Sequence, residues 1–330
     1  MNRRRSILAI GAALAARGLP VRAQAGRAVR VGFLSGGTET DTPAYLVSFR
    51  EGLAALGYRE GENLTLDVRY ANYSEQQAGK LAAEIAASKP VAIVAFGGGI
   101  VPVFSLSPPV PLVFLHSGNP IDAGFANSFA RPGRHATGIS LLALDLIPKR
   151  LELLREVSPK MHRVAFVASP EHAGQHRELA ASRAAASQLN LDVSYHQART
   201  PAELATALTA VAAERPDAAM LFSDGLMVGQ RRMLAAFFIE KRIPSAAGWS
   251  AFPESGHLLS YGPERRAAWR RLAYFVDRII KGARPGDLPI EFPEVVELVV
   301  NRRTAAALNL VLPPAILSRA DRVVDSQVAT

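Results

Sequence analysis

Short apolar runs alternate with amphipathic segments along most of the chain, and this alternation restricts the fold more than any other feature. In the first unit, residues 27–34 are rich in β-branched side chains and predict a buried strand that ends in a glycine-containing loop. Residues 43–57 predict the next helix, because apolar side chains recur three or four positions apart and Gly57 is a typical C-terminal stop. Such alternation indicates parallel sheets covered by helices on both faces.

The same pattern continues to the end of the chain. Further strands are predicted at 63–70, 91–96, 110–115, 136–140, 163–168, 191–196, 218–222, 243–247, 257–260 and 295–300, and helices at 75–88, 145–157, 174–189, 201–215, 227–241 and 263–282. These strands are too many for one compact sheet, so we expect an α/β fold of two doubly wound, Rossmann-like lobes with parallel sheets. In such sheets ligands bind at the carboxyl ends of the strands. The pattern alone leaves open which lobe takes the helix at 263–282 and the strand at 295–300.

The first 25 residues have the features of a cleaved export signal. Three arginines follow the first two residues, a short apolar run spans 6–16, and Ala23-Gln-Ala25 fits a cleavage site. We therefore expect a mature protein that begins near Gly26, outside the cytoplasm. The general secretory and twin-arginine routes both stay open, and an amphipathic N-terminal helix is the alternative interpretation.

Charge and cysteine content exclude several classes of function. The formal net charge of +9 falls to +4 without the five arginines of the first 25 residues, which argues against a nucleic-acid partner. The chain has no cysteine, so disulfides, a thiolate nucleophile, iron–sulfur clusters and a lipid-bearing cysteine are impossible. We expect a freely diffusing protein rather than a lipid-anchored one.

Candidate catalytic, metal and nucleotide motifs are weak. The run Phe96-Gly-Gly-Gly-Ile100 follows a predicted strand but matches neither phosphate-binding glycine motif; its glycines predict a backbone that closely approaches a ligand or the neighbouring lobe. His172 and His176 are spaced to share a metal ion, but a third ligand is missing, so a solvated helix face is favoured. Asp224 stands alone at a strand end and predicts a helix N-cap or a ligand contact equally well. We expect no enzyme activity, no cofactor and no metal, with an exported enzyme as the remaining alternative.

Several separated motifs resemble one known family. They are Phe49-Arg-Glu-Gly-Leu53, Leu56-Gly-Tyr58, Glu60-Gly-Glu-Asn63, Ala130-Arg-Pro-Gly133, Thr137-Gly138, Lys149-Arg-Leu-Glu-Leu-Leu154, Lys281-Gly-Ala-Arg-Pro285, Asp287-Leu-Pro289 and Glu297-Leu-Val-Val-Asn301. Nearly all of the mature chain is similar to the periplasmic substrate-binding components of ABC transporters, in the family that includes tryptophan- and tyrosine-binding members. The resemblance implies a type I periplasmic-binding fold, in which crossing strands join two lobes that close on a small molecule.

The resemblance also implies a lobe division and a set of ligand-binding residues. We assign residues 26–138 and about 263–282 to the first lobe, and residues 139–262 and about 283–330 to the second. The residues expected at the ligand are Ser35, Gly36, Thr38, Glu39, Phe96, Gly97, Gly98, Ser117, Asn119, Pro120, Ser140, Ser169, Pro170, Glu171, Asp224, Gly225 and Trp249.

For an amino-acid ligand, hydroxyls and loop N–H groups would bind the carboxylate, and Asp224 or Glu39 the ammonium. An apolar side chain would contact Phe96 or Trp249. The family commonly has Asp-Pro-Val where this chain has Asn119-Pro120-Ile121, and Asn-Pro where it has Ser169-Pro170, so an aromatic amino acid is one candidate among several.

The expected function is that of the solute-binding component of an ABC import system in the periplasm. Its expected partners are a small-molecule ligand and a permease in the inner membrane, and we expect a monomer. The alternative is a periplasmic sensing module that signals to a membrane receptor. A transcription regulator with this fold would need a helix-turn-helix ahead of the first lobe, where only the signal-like segment stands.

Overall fold

The computed structural model describes residues 28–41, 43–141, 146–170 and 175–325. The export signal predicted at 1–25 lies outside them. The first sheet is built from β1 Val29–Ser35, β2 Leu64–Tyr70, β3 Ala92–Phe96, β4 Leu112–His116 and β5 Ala136–Ser140, all parallel, in the order β2-β1-β3-β4-β5. Helices α1 Pro43–Ala55, α2 Glu75–Ala87 and α3 Ile100–Phe104 connect its strands.

The second sheet follows after one crossing between the lobes. Its strands are β6 Arg163–Ala168, β7 Asp192–Gln197, β8 Ala218–Leu221, β9 Ser245–Ala247, β10 Leu259–Pro263, β11 Val296–Asn301 and β12 Arg322–Val324, in the order β12-β11-β10-β9-β8-β6-β7. The helices that follow α3 are α4 Ile147–Val157, α5 Gln175–Gln188, α6 Pro201–Glu214, α7 Gly225–Gly229, α8 Arg231–Glu240, α9 Arg265–Ile280, α10 Arg302–Ala307 and α11 Pro314–Arg319. The predicted class, two doubly wound α/β lobes, is confirmed.

The sequence predicted parallel sheets, but the second sheet is not wholly parallel. Strand β11 runs antiparallel to β10, whereas the other paired strands are parallel. The chain leaves the second lobe after β10 and returns through β11 at the same end of the sheet, so the two strands must run in opposite directions. Strand β12 adds one more parallel strand beyond the one predicted to be the last.

Helix α9 belongs to the first lobe, both by its packing against another helix and by the hydrophobic core that its side chains join. It packs along α1, and Trp269 and Phe275 are fully buried among first-lobe side chains. The segment after it also contacts the first sheet: the Thr137 hydroxyl donates to the Leu288 carbonyl at 2.8 Å, and Ile139 bridges to Glu291. Residues 285–291 therefore lie on the first lobe, where the sequence assignment had placed them on the second.

Local sequence explains where the helices begin. Ser74, Thr200 and Asn301 cap α2, α6 and α10, each with a side-chain oxygen that accepts from a backbone N–H of the first turn. The single helix predicted at 227–241 is two helices, because the backbone leaves helical geometry at Gln230. Within the described residues, no helix is both long and apolar enough to span a membrane.

Candidate functional site between the lobes

Loops at the carboxyl ends of the strands of both lobes meet at one cleft. The chain passes between the lobes three times: between β5 and α4, between β10 and α9, and between Glu291 and β11. Because parallel strands end at the same edge of a sheet, the loops after β1, β3 and β4 lie side by side. The loops after β6, β8 and β9 form the corresponding edge of the second lobe.

The glycines predicted at the site hold two first-lobe loops against each other. A Cβ on Gly36 would lie 2.3 Å from the Gly98 nitrogen, and the Gly36 N–H donates to the Phe96 carbonyl at 3.1 Å. Gly97 has a φ of +56°, which an L side chain rarely adopts. The close approach predicted for this run is thus to the neighbouring loop of the same lobe.

Two hydroxyls that were predicted at the ligand shape these loops. The buried Ser35 hydroxyl accepts from the Gly37 N–H at 3.0 Å, and the buried Ser140 hydroxyl donates to the Gly118 carbonyl at 2.9 Å. Thr38 is paired with the Thr40 hydroxyl at 2.9 Å, and Glu39 is exposed. The Ser35 and Ser140 hydroxyls therefore order the cleft edge.

The loop after β4 is stabilised by its own asparagine. Asn119 Oδ1 accepts from the Ile121 N–H at 2.9 Å, so the amide stabilises a turn that places Pro120 and Ser117 at the end of β4. Ser117 is half-buried and Pro120 is buried. The asparagine that replaces the family's usual aspartate therefore has a local structural role.

Asp224 is the N-cap that its position suggested. Its Oδ1 accepts from the Met227 N–H at 2.9 Å and its Oδ2 from the Ser169 N–H at 2.7 Å, so one carboxylate joins the loops after β6 and β8. The side chain is buried, and burial raises the pKa of Asp224 to about 6. Gly225 follows it as the first residue of α7. A direct contact between Asp224 and a ligand stays a prediction.

A buried charge cluster lies beneath this edge of the second lobe, and sequence reasoning missed it. Arg150 donates through Nε to the Tyr261 carbonyl at 2.7 Å, and burial lowers its pKa to about 10. Burial raises the pKa of Glu178 to about 8, with the charge of Asp224 adding to the rise and that of Arg150 opposing it. The sequence feature that could have revealed this cluster is an arginine among the apolar residues of α4. Arg150 lies three residues after Ile147 and four before Leu154.

Tyr73, another residue absent from the predicted set, connects the two lobes. Its ring lies over the glycines of α7: a Cβ on Gly225 would be 3.4 Å from Tyr73 Cδ1, and one on Gly229 would be 3.1 Å from Cε2. The sequence feature that could have predicted this contact is the pair Gly225 and Gly229, which lie four residues apart on one face of a helix. The lobes are therefore in contact across the cleft.

A stack of aromatic rings around one arginine forms a second inter-lobe contact. The Arg265 guanidinium carbon lies 4.1 Å from the centre of the Tyr45 ring and 4.0 Å from that of Trp249. Trp249 packs against the core clusters of both lobes. Phe96, by contrast, is 9% exposed and packs edge-on against Trp269 at 4.6 Å, so it belongs mainly to the first-lobe core.

The structure shows no specific contacts for the remaining predicted residues that it describes. Pro170 is half-buried after β6, while Glu171 and His172 lie outside the described residues, as does the side chain of His176. In the part of the chain that the structure describes, no group of three or more histidine, aspartate and glutamate side chains could hold a metal ion.

Comparisons with known proteins agree with this geometry. The family model described as "ABC transporter substrate binding protein" matches residues 43–324. The tyrosine-binding protein of Clostridioides difficile (strain R20291) is 21% identical over 264 residues, covering 79% of this chain and 75% of that protein.

Two solved structures share the fold. A conserved domain protein from Vibrio cholerae O1 biovar El Tor has a TM-score of 0.85 at 22% identity, over 90% of this chain and 100% of its own. A structure described as the ABC domain in complex with L-Trp from Streptococcus pneumonia has a TM-score of 0.84 at 18% identity, with the same coverage of 90% and 100%.

Proposed function

Since this chain belongs to the family of ABC transporter substrate binding proteins, we propose that it is the solute-binding component of an ABC import system. Its two lobes close on a small molecule and deliver it to a permease in the inner membrane. The export signal predicted from residues 1–25 supports a location in the periplasm.

The contact of Tyr73 with Gly225 and Gly229 carries this proposal. A small molecule held between the strand-end loops touches both lobes, so it binds the closed arrangement better than an open one. The binding energy of the ligand is thereby converted into a change of shape that a permease can detect. Binding and release suffice for this function, and no group of the site needs to act as an acid, a base or a nucleophile.

The proposed ligand is an amino acid with an aromatic or otherwise hydrophobic side chain. The relatives named for tyrosine binding and for a complex with L-Trp support this class. We assign the ligand carboxylate to N–H groups of the loops that follow β1 and β3, other than those of Gly36 and Gly37, which already have partners. We assign the ammonium to Asp224, a buried carboxylate at the end of β8. Trp249 is the aromatic contact for the side chain.

A thermal-shift screen of residues 26–330 against amino acids, small carboxylates, sugars and purines tests the proposal. A ligand at a hundred times its Kd adds about 2.7 kcal/mol to the free energy of unfolding, which gives a measurable rise in Tm. We expect L-tryptophan or L-tyrosine to raise the Tm. Hits confined to sugars or purines would contradict the ligand class, and no hit from any class, with no retained compound found by mass spectrometry of the denatured protein, would contradict the function.

A charge-removing variant tests the assignment of Asp224. Asp224→Asn keeps one oxygen that can cap α7, while it removes the carboxylate charge and the acceptor of the Ser169 N–H. We expect the affinity for the amino acid to fall about tenfold, which corresponds to the loss of one charge-assisted hydrogen bond. Asp192→Asn, at an exposed position of the same lobe, serves as the control. Equal affinity of the Asp224→Asn variant and the control would remove Asp224 from the site.

A further inference from the structure

A second pocket, which we call the arginine pocket, lies where the N-terminal ends of α1 and α9 meet the second lobe. Its volume is about 550 Å³, within the range of small-molecule sites. Tyr45, Arg265 and Arg266 line it on the side of α1 and α9, and Arg231, Arg232 and Arg322 on the other. It does not include the loops that carry the predicted amino-acid ligand, apart from the chain just after Trp249.

The carboxylates of the arginine pocket already have partners. Glu254 and Glu297 lie 2.6 Å and 3.6 Å from Arg322. Glu264 caps α9, accepting from two backbone N–H groups of its first turn at 2.9 Å and 2.7 Å. Arg232 and Arg266 are exposed, and neither forms an ion pair with any side chain that the structure describes. The pocket thus has more positive charge than its own acids neutralise.

Arg265 shows most directly what is missing from the pocket. The residue is 6% exposed, both faces of its guanidinium are covered by rings, and Nη1 donates to the Tyr45 hydroxyl at 3.2 Å. Its Nε is buried without a hydrogen-bond partner among the described residues. This atom is a donor, and buried donors normally find an acceptor. Burial also lowers the pKa of Arg265 from its ordinary value, the direction expected for a cation without an anion beside it.

We propose that the arginine pocket binds a small multivalent oxyanion, one that carries two or more carboxylate or phosphate groups. Guanidinium groups bind both kinds of oxyanion through paired N–H donors. Arg266 lies on α9 of the first lobe and Arg232 on α8 of the second, so one anion with two charged ends contacts both lobes. The bound anion then favours the closed arrangement.

Calorimetric titration of the mature chain with citrate and with inorganic phosphate tests this proposal, with sodium chloride at equal ionic strength as the reference. We expect saturable binding of at least one of the two anions, and which of them binds more tightly distinguishes carboxylate from phosphate chemistry. Arg232→Ala and Arg266→Ala each remove an exposed side chain, so both variants are expected to fold. Each is expected to bind about tenfold more weakly, the effect of one charged hydrogen-bonding partner.

Arg278→Ala is the matched control, because Arg278 is an exposed arginine on the same helix and does not line the pocket. We expect this variant to bind like the unmodified protein. Equal weakening in all three variants would indicate a general charge effect and overturn the proposal, as would an absence of binding beyond the chloride reference. The amino-acid proposal is judged by L-tryptophan and L-tyrosine and the anion proposal by citrate and phosphate, so each proposal can fail while the other holds.

Discussion

The two lobes share one architecture but place different chemistry beneath the cleft. Under the first sheet edge lie aromatic rings: Trp269 packs against Phe33 at 5.6 Å and Phe96 at 4.6 Å. Under the second lie the ionisable groups Arg150 and Glu178, with Asp224 at the edge itself. Apolar packing does not titrate, whereas buried charges do. We therefore expect the first lobe to support the cleft by apolar packing, and the stability of the second lobe to depend on pH.

The largest effect is expected from removing the aromatic support. Trp269→Ala deletes a fully buried side chain, and such changes cost about 3–5 kcal/mol of unfolding free energy. Because no charge is involved, the loss should be the same at pH 5 and pH 8. Urea unfolding followed by circular dichroism measures it, with Val47→Ala on the exposed face of α1 as the control. A loss near that of the control would show that the aromatic cluster does not support the first lobe.

A pH-dependent effect of intermediate size is expected from the second lobe. His257 is fully buried, its Nδ1 accepts from the Ser245 hydroxyl at 2.8 Å, and its Nε2 donates to the Arg231 carbonyl at 2.8 Å. Burial lowers the pKa of His257 to about 4. Below pH 6.5 the unfolded chain binds a proton that the folded chain does not, so stability falls as the pH falls towards 4. The expected loss from this residue at pH 5 is about 2 kcal/mol.

His257→Gln isolates this contribution, because glutamine can still donate to the Arg231 carbonyl but does not titrate. The unmodified protein should lose about 2 kcal/mol more than the variant between pH 8 and pH 5. The raised pKa of Asp224 acts in the opposite direction, since burial disfavours its ionisation, but it is present in both proteins and cancels. His162→Gln, at an exposed histidine of the same lobe, serves as the matched control. Parallel pH profiles for the unmodified protein and His257→Gln would contradict the prediction.

Periodicity predicted most of the fold because local sequence determines most of it. Strands β5 and β6 match their predicted bounds, since each is a short run bounded by turn residues. The break at Gln230 was missed because the apolar spacing continues through it, and the direction of β11 depends on how the chain returns from the first lobe. Both errors concern the path of the chain in space rather than the preference of a segment for a helix or a strand.

The candidate site divides in the same way. The capping role of Asp224 was readable, since cap and helix are neighbours in the sequence. The stack of Tyr45, Trp249 and Arg265 was not, because three distant segments meet only when the two lobes are in place. The local sequence pattern therefore predicted which loops line the cleft, whereas the contacts between the lobes were visible only in the structure.

The smallest expected effect separates closure from stability. Gly229→Ala would place a Cβ 3.1 Å from the Tyr73 ring, whereas Gly79→Ala on α2 would meet no atom within 4 Å. Alanine favours a helix over glycine by up to about 1 kcal/mol, so neither change should destabilise its lobe. The crowded ring opposes closure, so we expect Gly229→Ala to bind the amino acid a few-fold more weakly and Gly79→Ala to bind it normally.

Equal affinity in these two variants would mean that Tyr73 yields without cost and that the lobes close without this contact. Weaker binding in Gly229→Ala, with a Tm no lower than that of the unmodified protein, would place the loss in closure alone. The first lobe would then contribute the Tyr73 side chain to the closed state, in addition to its apolar support. The reason is that α7 of the second lobe must accommodate the Tyr73 ring when the lobes close. The two lobes would still differ in how their stability depends on pH, but closure would depend on side chains of both.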